Sequence, residues 1–166
     1  MRRIFLGAIL APLFLSIAFA KDAKLEKVYK AFDRVEVLPA IKEKPISERL
    51  HILCGALAVY REAQGEDFES KKLEADVAFY SARKHNYSAC REITKEGRYP
   101  WVHKSLVYIK PKNKKSWLES QKAALYEKEN PKPVEYVCNR NVYHPSKKKR
   151  VYKMTKKLVF YNYIDV

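Results

Sequence analysis

The apolar positions in the first half of the chain follow helical spacing. Residues 50–63 are apolar on every side, which predicts a buried helix. Ser47 is expected to cap the start of this helix through its hydroxyl, and Gly65 is expected to stop it. Ahead of it, four residues are spaced like one face of a short helix: Leu25, Val28, Tyr29 and Phe32.

The spacing of apolar residues changes towards the C-terminus. Helical patterns continue from residue 68 to residues 85–87, then at 91–99 with a stop at Gly97, and at 117–128. Strand patterns come late: residues 105–109, a hairpin of 134–137 with 142–143 around 139–141, and a last strand at 157–164. Helices followed by short strands predict a single α+β domain with a small antiparallel sheet in its C-terminal half.

Residues 1–20 have the composition of a cleavable export signal. Arg2 and Arg3 precede an apolar run at 4–18, and Ala18-Phe19-Ala20 places small residues where a signal peptidase cleaves. A retained anchor is the alternative, but the run is short for ~30 Å of hydrocarbon. We expect three parts: a signal at 1–20, a leading arm at 21–48 and a cell-envelope domain at 49–166. The predicted location is the periplasm, the cell wall or the extracellular space.

The net charge of +15 points to polyanionic partners. Nucleic acid is the usual partner of a basic protein, but an exported protein meets anionic cell-envelope polymers instead. The basic runs at 110–115 and 147–150 could bind such polymers, although charge runs are more often solvated faces. We expect a monomer without a nucleic-acid partner.

Three cysteines allow one disulfide in an oxidising compartment. Their spacing has no Cys/His ligand cluster, so no metal site is expected. Cys54 lies in the buried helical pattern, where a free cysteine behaves as a small apolar residue. A bridge between Cys90 and Cys138 is therefore preferred, with Cys54 as the alternative partner.

Glu62 is the strongest candidate for chemistry. It lies at the end of the helix that is expected to be buried, and burial of a carboxyl raises its pKa, as a general acid near neutral pH requires. Glu66 would share its helical face if the helix continued through Gly65, and the two carboxyls could then act as a pair. The alternative is a solvated glutamate at a frayed helix end, paired with Arg61 or Lys72.

The residues around Glu62 resemble a known family. Residues 60–66, Tyr-Arg-Glu-Ala-Gln-Gly-Glu, resemble the Tyr-x-Glu-Ala-Arg-Gly-Glu motif of the SleB-type cell wall hydrolases, which include spore-cortex-lytic enzymes and phage and bacterial wall hydrolases. Tyr87 and Cys90 lie in a loop where the family commonly has Tyr-Pro-x-x-x-Cys, and residues 97–101 fall where members carry Gly-Gln-Phe-Ser-Trp. The resemblance continues more weakly to the Val-Tyr-His of 142–144 and the Val-Phe-Tyr of 159–161, so it spans roughly residues 50–161.

This resemblance implies a lysozyme-like, mainly helical fold and an enzyme that cleaves the glycan strands of peptidoglycan. Glu62 would be the general acid and then the base of a lytic-transglycosylase-like reaction, which needs no metal and no cofactor. Trp101, Tyr99 and Tyr143 would stack on sugar rings, and His144 would add a polar contact. Core packing is the competing explanation for each aromatic residue.

Five positions depart from the family's motifs. Gln64 stands in place of the motif arginine, Tyr80-Ser81 in place of Asn-Arg, Pro100 in place of serine and Leu158 in place of the closing histidine. These changes leave two alternatives open. One is a catalytically inactive relative that binds wall polymer; the other is a muramidase or glucosaminidase that uses water, with Glu66 or an unidentified carboxylate as the second group.

Overall fold

A computed structural model describes residues 25, 28, 29, 32, 33, 35–95, 97–99, 101 and 111–164. Five helices and three strands are numbered here in chain order. The helices are α1 (Pro39–Lys42), α2 (Ile46–Glu62), α3 (Phe68–Lys84), α4 (Ala89–Thr94) and α5 (Lys114–Glu129). The strands are β1 (Tyr136–Asn139), β2 (Lys149–Met154) and β3 (Leu158–Tyr163), and a 3₁₀ turn at Arg140–Val142 follows β1.

The centre of the fold is α2, which is buried from Ile52 to Tyr60. Helices α3, α4 and α5 all pack against it, so no face of α2 is left for polar residues. Gly55 lets α3 approach closely, because a Cβ at this position would overlap the ring of Phe79. The three neighbouring helices thus explain why apolar residues occur on every side of α2.

The small sheet has β3 in the middle, paired antiparallel with β1 and β2. Leu158 and Phe160 on one face of β3 belong to the same hydrophobic core as the helices, which attaches the sheet to the helical layer. The architecture is therefore α+β, as predicted from the order of the patterns.

Most predicted elements are confirmed, with different ends. The patterns at 50–63, 68–87, 91–99 and 117–128 correspond to α2, α3, α4 and α5, and the last predicted strand corresponds to β3. Leu25, Val28, Tyr29 and Phe32 are helical, as expected. The expected strand at 105–109 lies outside the described residues.

Two local predictions are wrong. Helix α2 begins at Ile46 after Pro45, so Ser47 lies inside its first turn and is not the cap. The hairpin of 134–137 with 142–143 does not form, because β1 pairs with β3 and residues 140–142 make a 3₁₀ turn. Strand β2 was not predicted, since half of its sequence Lys-Arg-Val-Tyr-Lys-Met is charged and most of it is exposed.

The disulfide joins Cys54 to Cys90, so the preferred bridge to Cys138 is wrong. Helix α4 packs against α2 and brings the two Cα atoms to 5.0 Å, within the usual range for a bridge. Cys138 is free and half-buried on β1. Burial alone did not identify the unpaired cysteine, because Cys54 is both buried and bridged.

Among the described helices, none is long and apolar enough to cross a membrane. The predicted export signal at 1–20 lies outside the described residues.

Candidate functional site

The carboxylate of Glu62 is held by the indole of Trp101. Trp101 Nε1 donates a hydrogen bond of 2.6 Å to Glu62 Oε1, across 39 positions of sequence. Because an indole N–H can only donate, Oε1 is the acceptor of this hydrogen bond, and Oε2 takes no part in it. Two of the residues that sequence analysis selected are thus in direct contact.

Glu62 is exposed, which corrects the expectation that it is buried. Burial of α2 ends at Tyr60, and Ala63 is the next buried residue. The helix ends at Glu62, so this side chain projects from the end of the core into solvent.

The Trp101 ring connects the carboxylate to an aromatic and a cationic neighbour. Its ring centre is 5.6 Å from that of Tyr99, and the Arg61 guanidinium carbon lies 5.8 Å from it. Tyr99 is buried, and burial, with a contribution from Glu74, raises the pKa of its phenol well above the usual value. Tyr99 is therefore a buried neighbour on which the Trp101 ring packs, whereas Trp101 itself is half-buried and accessible.

An ion pair between the exposed Arg98 and the buried Glu92 anchors the segment that carries these two aromatic residues. Arg98 Nε donates to Glu92 Oε1 at 2.8 Å, and Ser81 Oγ donates to the same oxygen at 2.7 Å. Burial alone would raise the pKa of Glu92, but the Ser81 hydrogen bond and the Arg98 charge bring it below the usual value. Because Arg98 directly precedes Tyr99, this network fixes the position from which Trp101 reaches Glu62.

Glu74 is a second acidic residue near the site that sequence analysis missed. It is fully buried in α3, and neither carboxyl oxygen has a hydrogen-bond partner. Burial, with a smaller contribution from the negative charge of Glu62, raises its pKa to about 8. A sequence signal existed: Val77 and Ala78 follow Glu74 at helical spacing and place it on the apolar face of α3.

Glu66 and Gln64 do not join the contact between Glu62 and Trp101. Because α2 ends at Glu62 and Gly65 has a φ of 94°, the helix does not continue through Gly65, and the predicted shared face with Glu66 is wrong. Glu66 instead lines a groove of about 490 Å³ between the α2–α3 turn and the sheet, with basic residues on its opposite wall. Gln64 is exposed on the same turn.

Tyr143 and His144 lie in the loop between the 3₁₀ turn and β2, and neither is hydrogen-bonded to Glu62 or Trp101. The ring of Tyr143 lies 5.5 Å from that of Tyr161, and the His144 carbonyl accepts a 3.0 Å hydrogen bond from Lys149. The placement of these two residues favours a second surface, which is separate from the carboxylate.

Three of the residues that depart from the family's motifs contact or pack against other parts of the protein. The Tyr80 hydroxyl donates to Glu135 at 2.9 Å, Ser81 belongs to the Glu92 network, and Leu158 is buried in the core. Pro100 lies outside the described residues.

No group of three or more His, Cys, Asp or Glu side chains in the described part of the chain could hold a metal ion. Comparison of the chain with protein-family models, with curated proteins and with solved structures gives no match. The resemblance to the SleB-type hydrolases therefore stays a prediction from the sequence.

Proposed function

We propose that this chain is an exported enzyme of lysozyme-like fold that cleaves the glycan strands of peptidoglycan, with Glu62 as its acid and base. The observation that carries the proposal is the 2.6 Å hydrogen bond from Trp101 to Glu62, which fixes a carboxyl beside an aromatic ring at the protein surface. A sugar ring can stack on such an indole while its glycosidic oxygen meets the carboxyl.

The chemistry requires one proton to leave Glu62 and one to return. Protonated Oε2 donates to the oxygen that links N-acetylmuramic acid to N-acetylglucosamine, and the bond from the anomeric carbon to this oxygen breaks. The resulting carboxylate then accepts the proton of the muramic 6-hydroxyl as that oxygen bonds to the anomeric carbon. The products are a 1,6-anhydro end and a free glycan end, and Glu62 is protonated again.

Glu62 is exposed in the free protein, so a bound substrate would be what covers it. A glycan strand stacked on Trp101 would cover the carboxyl and exclude water, which favours the protonated acid. Arg61, 5.8 Å from the Trp101 ring centre, adds positive charge beside the site.

The test is the release of fragments from purified peptidoglycan. Glu62→Gln keeps the acceptor for the Trp101 N–H but cannot donate an acidic proton, so cleavage should fall at least about a hundredfold. Glu66→Gln is the matched control, because Glu66 lies on the adjacent turn without the Trp101 contact, and its cleavage rate should stay within about twofold of that of the unmodified protein. Equal rates for the unmodified protein and Glu62→Gln would contradict the assignment.

The exposure of Glu62 favours one second candidate, a wall-polymer-binding protein without catalysis. In that case neither protein would release fragments, both would sediment with the wall, and binding would fall steeply with salt. A muramidase or glucosaminidase that uses water would instead release fragments with hydrated reducing ends.

A further inference from the structure

The outer face of the sheet is lined by tyrosines. Strand pairing places Tyr136 opposite Tyr161 and Lys149 opposite Tyr163, and alternation puts Tyr161 and Tyr163 on the same side of β3. The other side of β3 carries Leu158 and Phe160, which pack into the core. The four tyrosines 136, 143, 161 and 163, together with Lys149, are named here the tyrosine face.

The rings of this face are in mutual contact around Tyr161. The centres of Tyr136, Tyr143 and Tyr163 lie 5.5, 5.5 and 5.7 Å from that of Tyr161. Tyr161 is thereby covered, whereas Tyr163 is 52% exposed and Tyr136 and Tyr143 are half-buried. The result is a cluster of four phenol rings that is exposed mainly at Tyr163 and partly at Tyr136 and Tyr143.

Lys149 lies among these rings without a carboxylate partner. Its Nζ is 5.0 Å from the ring centres of Tyr143 and Tyr161 and 5.6 Å from that of Tyr163. No Asp or Glu of the described residues forms an ion pair with it, and its hydrogen bond goes to the His144 carbonyl at 3.0 Å. Its positive charge is therefore available to an anion that approaches the tyrosine face.

The charge around this face has one sign. The segment 136–164 contains eight Lys and Arg residues and no Asp or Glu. Three of the eight already have polar partners within the protein: Lys153 binds Asp67 at 2.6 Å, Arg140 donates to the Thr155 carbonyl, and Lys149 donates to the His144 carbonyl. Charged side chains protect an exposed edge strand such as β2 from pairing with other chains, but that role does not require the tyrosines.

We propose that the tyrosine face is a docking surface for an acidic polysaccharide, with pyranose rings on the tyrosine rings and sugar carboxylates beside Lys149. Aromatic rings pack against the apolar face of a pyranose, and phenol hydroxyls bond to its hydroxyl groups. The surrounding cations are complementary to a carboxylated strand. The predicted export of the chain places it among envelope glycans. This surface is separate from Glu62, and the proposal does not depend on cleavage.

The test is equilibrium binding to immobilised hyaluronan, a pyranose polymer that carries carboxylates. Chitin oligosaccharide supplies sugar rings without charge, and polyglutamate supplies carboxylates without rings, so both should bind at least about tenfold more weakly. Lys149→Met and Tyr163→Leu should each weaken hyaluronan binding by about fivefold or more. Lys122→Met and Tyr126→Leu are matched controls on α5, away from the sheet, and should leave binding unchanged; circular dichroism checks that every variant folds.

Three results would overturn the proposal. Equal losses in Lys122→Met and Lys149→Met would show that net charge alone attracts the polymer. Unchanged binding by Tyr163→Leu would show that the tyrosine ring does not bind the sugar, and the lysines would then serve only to protect the edge strand β2 from pairing with other chains. Tighter binding of single-stranded DNA, lost in the same two variants, would assign the face to nucleic acid instead.

Discussion

The burial of Glu74 predicts an unusual dependence of stability on pH. Its carboxyl is fully enclosed in α3 without a hydrogen-bond partner, so the native state holds it neutral. An unfolded chain releases this proton near pH 4.5, whereas the folded protein retains it to about pH 8. Between these values the native state binds one more proton than the unfolded state.

The magnitude follows from this difference in bound protons. The contribution of Glu74 to stability is fully present below about pH 4.5 and is lost as the pH rises towards 8. The loss amounts to about 1.4 kcal/mol per pH unit, or about 5 kcal/mol over the whole interval. This is comparable with the whole stability of a small domain, roughly 5–15 kcal/mol.

The assay is urea denaturation at several pH values from 5 to 8, expressed as free energy of unfolding, with Glu74→Gln beside the unmodified protein. The amide does not titrate, so the variant should lose the decline that Glu74 causes and become the more stable of the two towards pH 8. Glu127→Gln is the comparison variant, because Glu127 is another buried carboxyl without partners and burial raises its pKa to about 7. Glu127→Gln should flatten the dependence of the free energy of unfolding on pH only below about pH 7. Parallel curves for Glu74→Gln and the unmodified protein would refute the reasoning.

Three further predictions concern the helical core. Removing the Cys54–Cys90 bridge, which closes a separation of 36 residues, should lower the free energy of unfolding by about 4 kcal/mol, whereas removal of the third cysteine should not; denaturation with and without these substitutions measures both. Gly55→Ala should destabilise by about 1–3 kcal/mol, since the new methyl group overlaps the Phe79 ring; an unchanged melting temperature would show that α2 and α3 are less closely packed. His51, whose Nδ1 accepts from a backbone N–H, should stay neutral down to about pH 4, because burial and nearby cations lower its pKa. Its contribution to stability is present above about pH 6.5 and is lost as the pH falls towards 4, and proton NMR of its ring checks this.

The helical half of the fold could be predicted because its apolar spacing is local. The pattern at 50–63 is apolar on every side, and the neighbours that cover it give α2 the same character in the structure. The sheet was less predictable, because β2 is a charged edge strand and the partner of β1 is determined by contacts distant in sequence. The pairing of β2 with β3 across the turn that contains Lys156 and Lys157 has no local signal in the sequence.

The site could be predicted as a set of residues but not as a geometry. Glu62 and Trp101 were both selected from the sequence, but their hydrogen bond depends on the loop that Arg98 and Glu92 hold in place. The exposure of Glu62 was unexpected, because the apolar pattern of α2 predicts burial but does not show that burial stops at Tyr60, before the helix ends at Glu62. The buried acid proved to be Glu74, whose position on the apolar face is visible in the spacing of α3.

The most direct test of the central claim is the mass of the fragments released from peptidoglycan by the unmodified protein and by Glu62→Gln. The account predicts fragments lighter by one water molecule than hydrolysis products, because the muramic 6-hydroxyl closes the ring, and no such fragments from the variant. Anhydro fragments from both proteins would contradict the role of Glu62, and the absence of fragments from either would contradict catalysis by this chain.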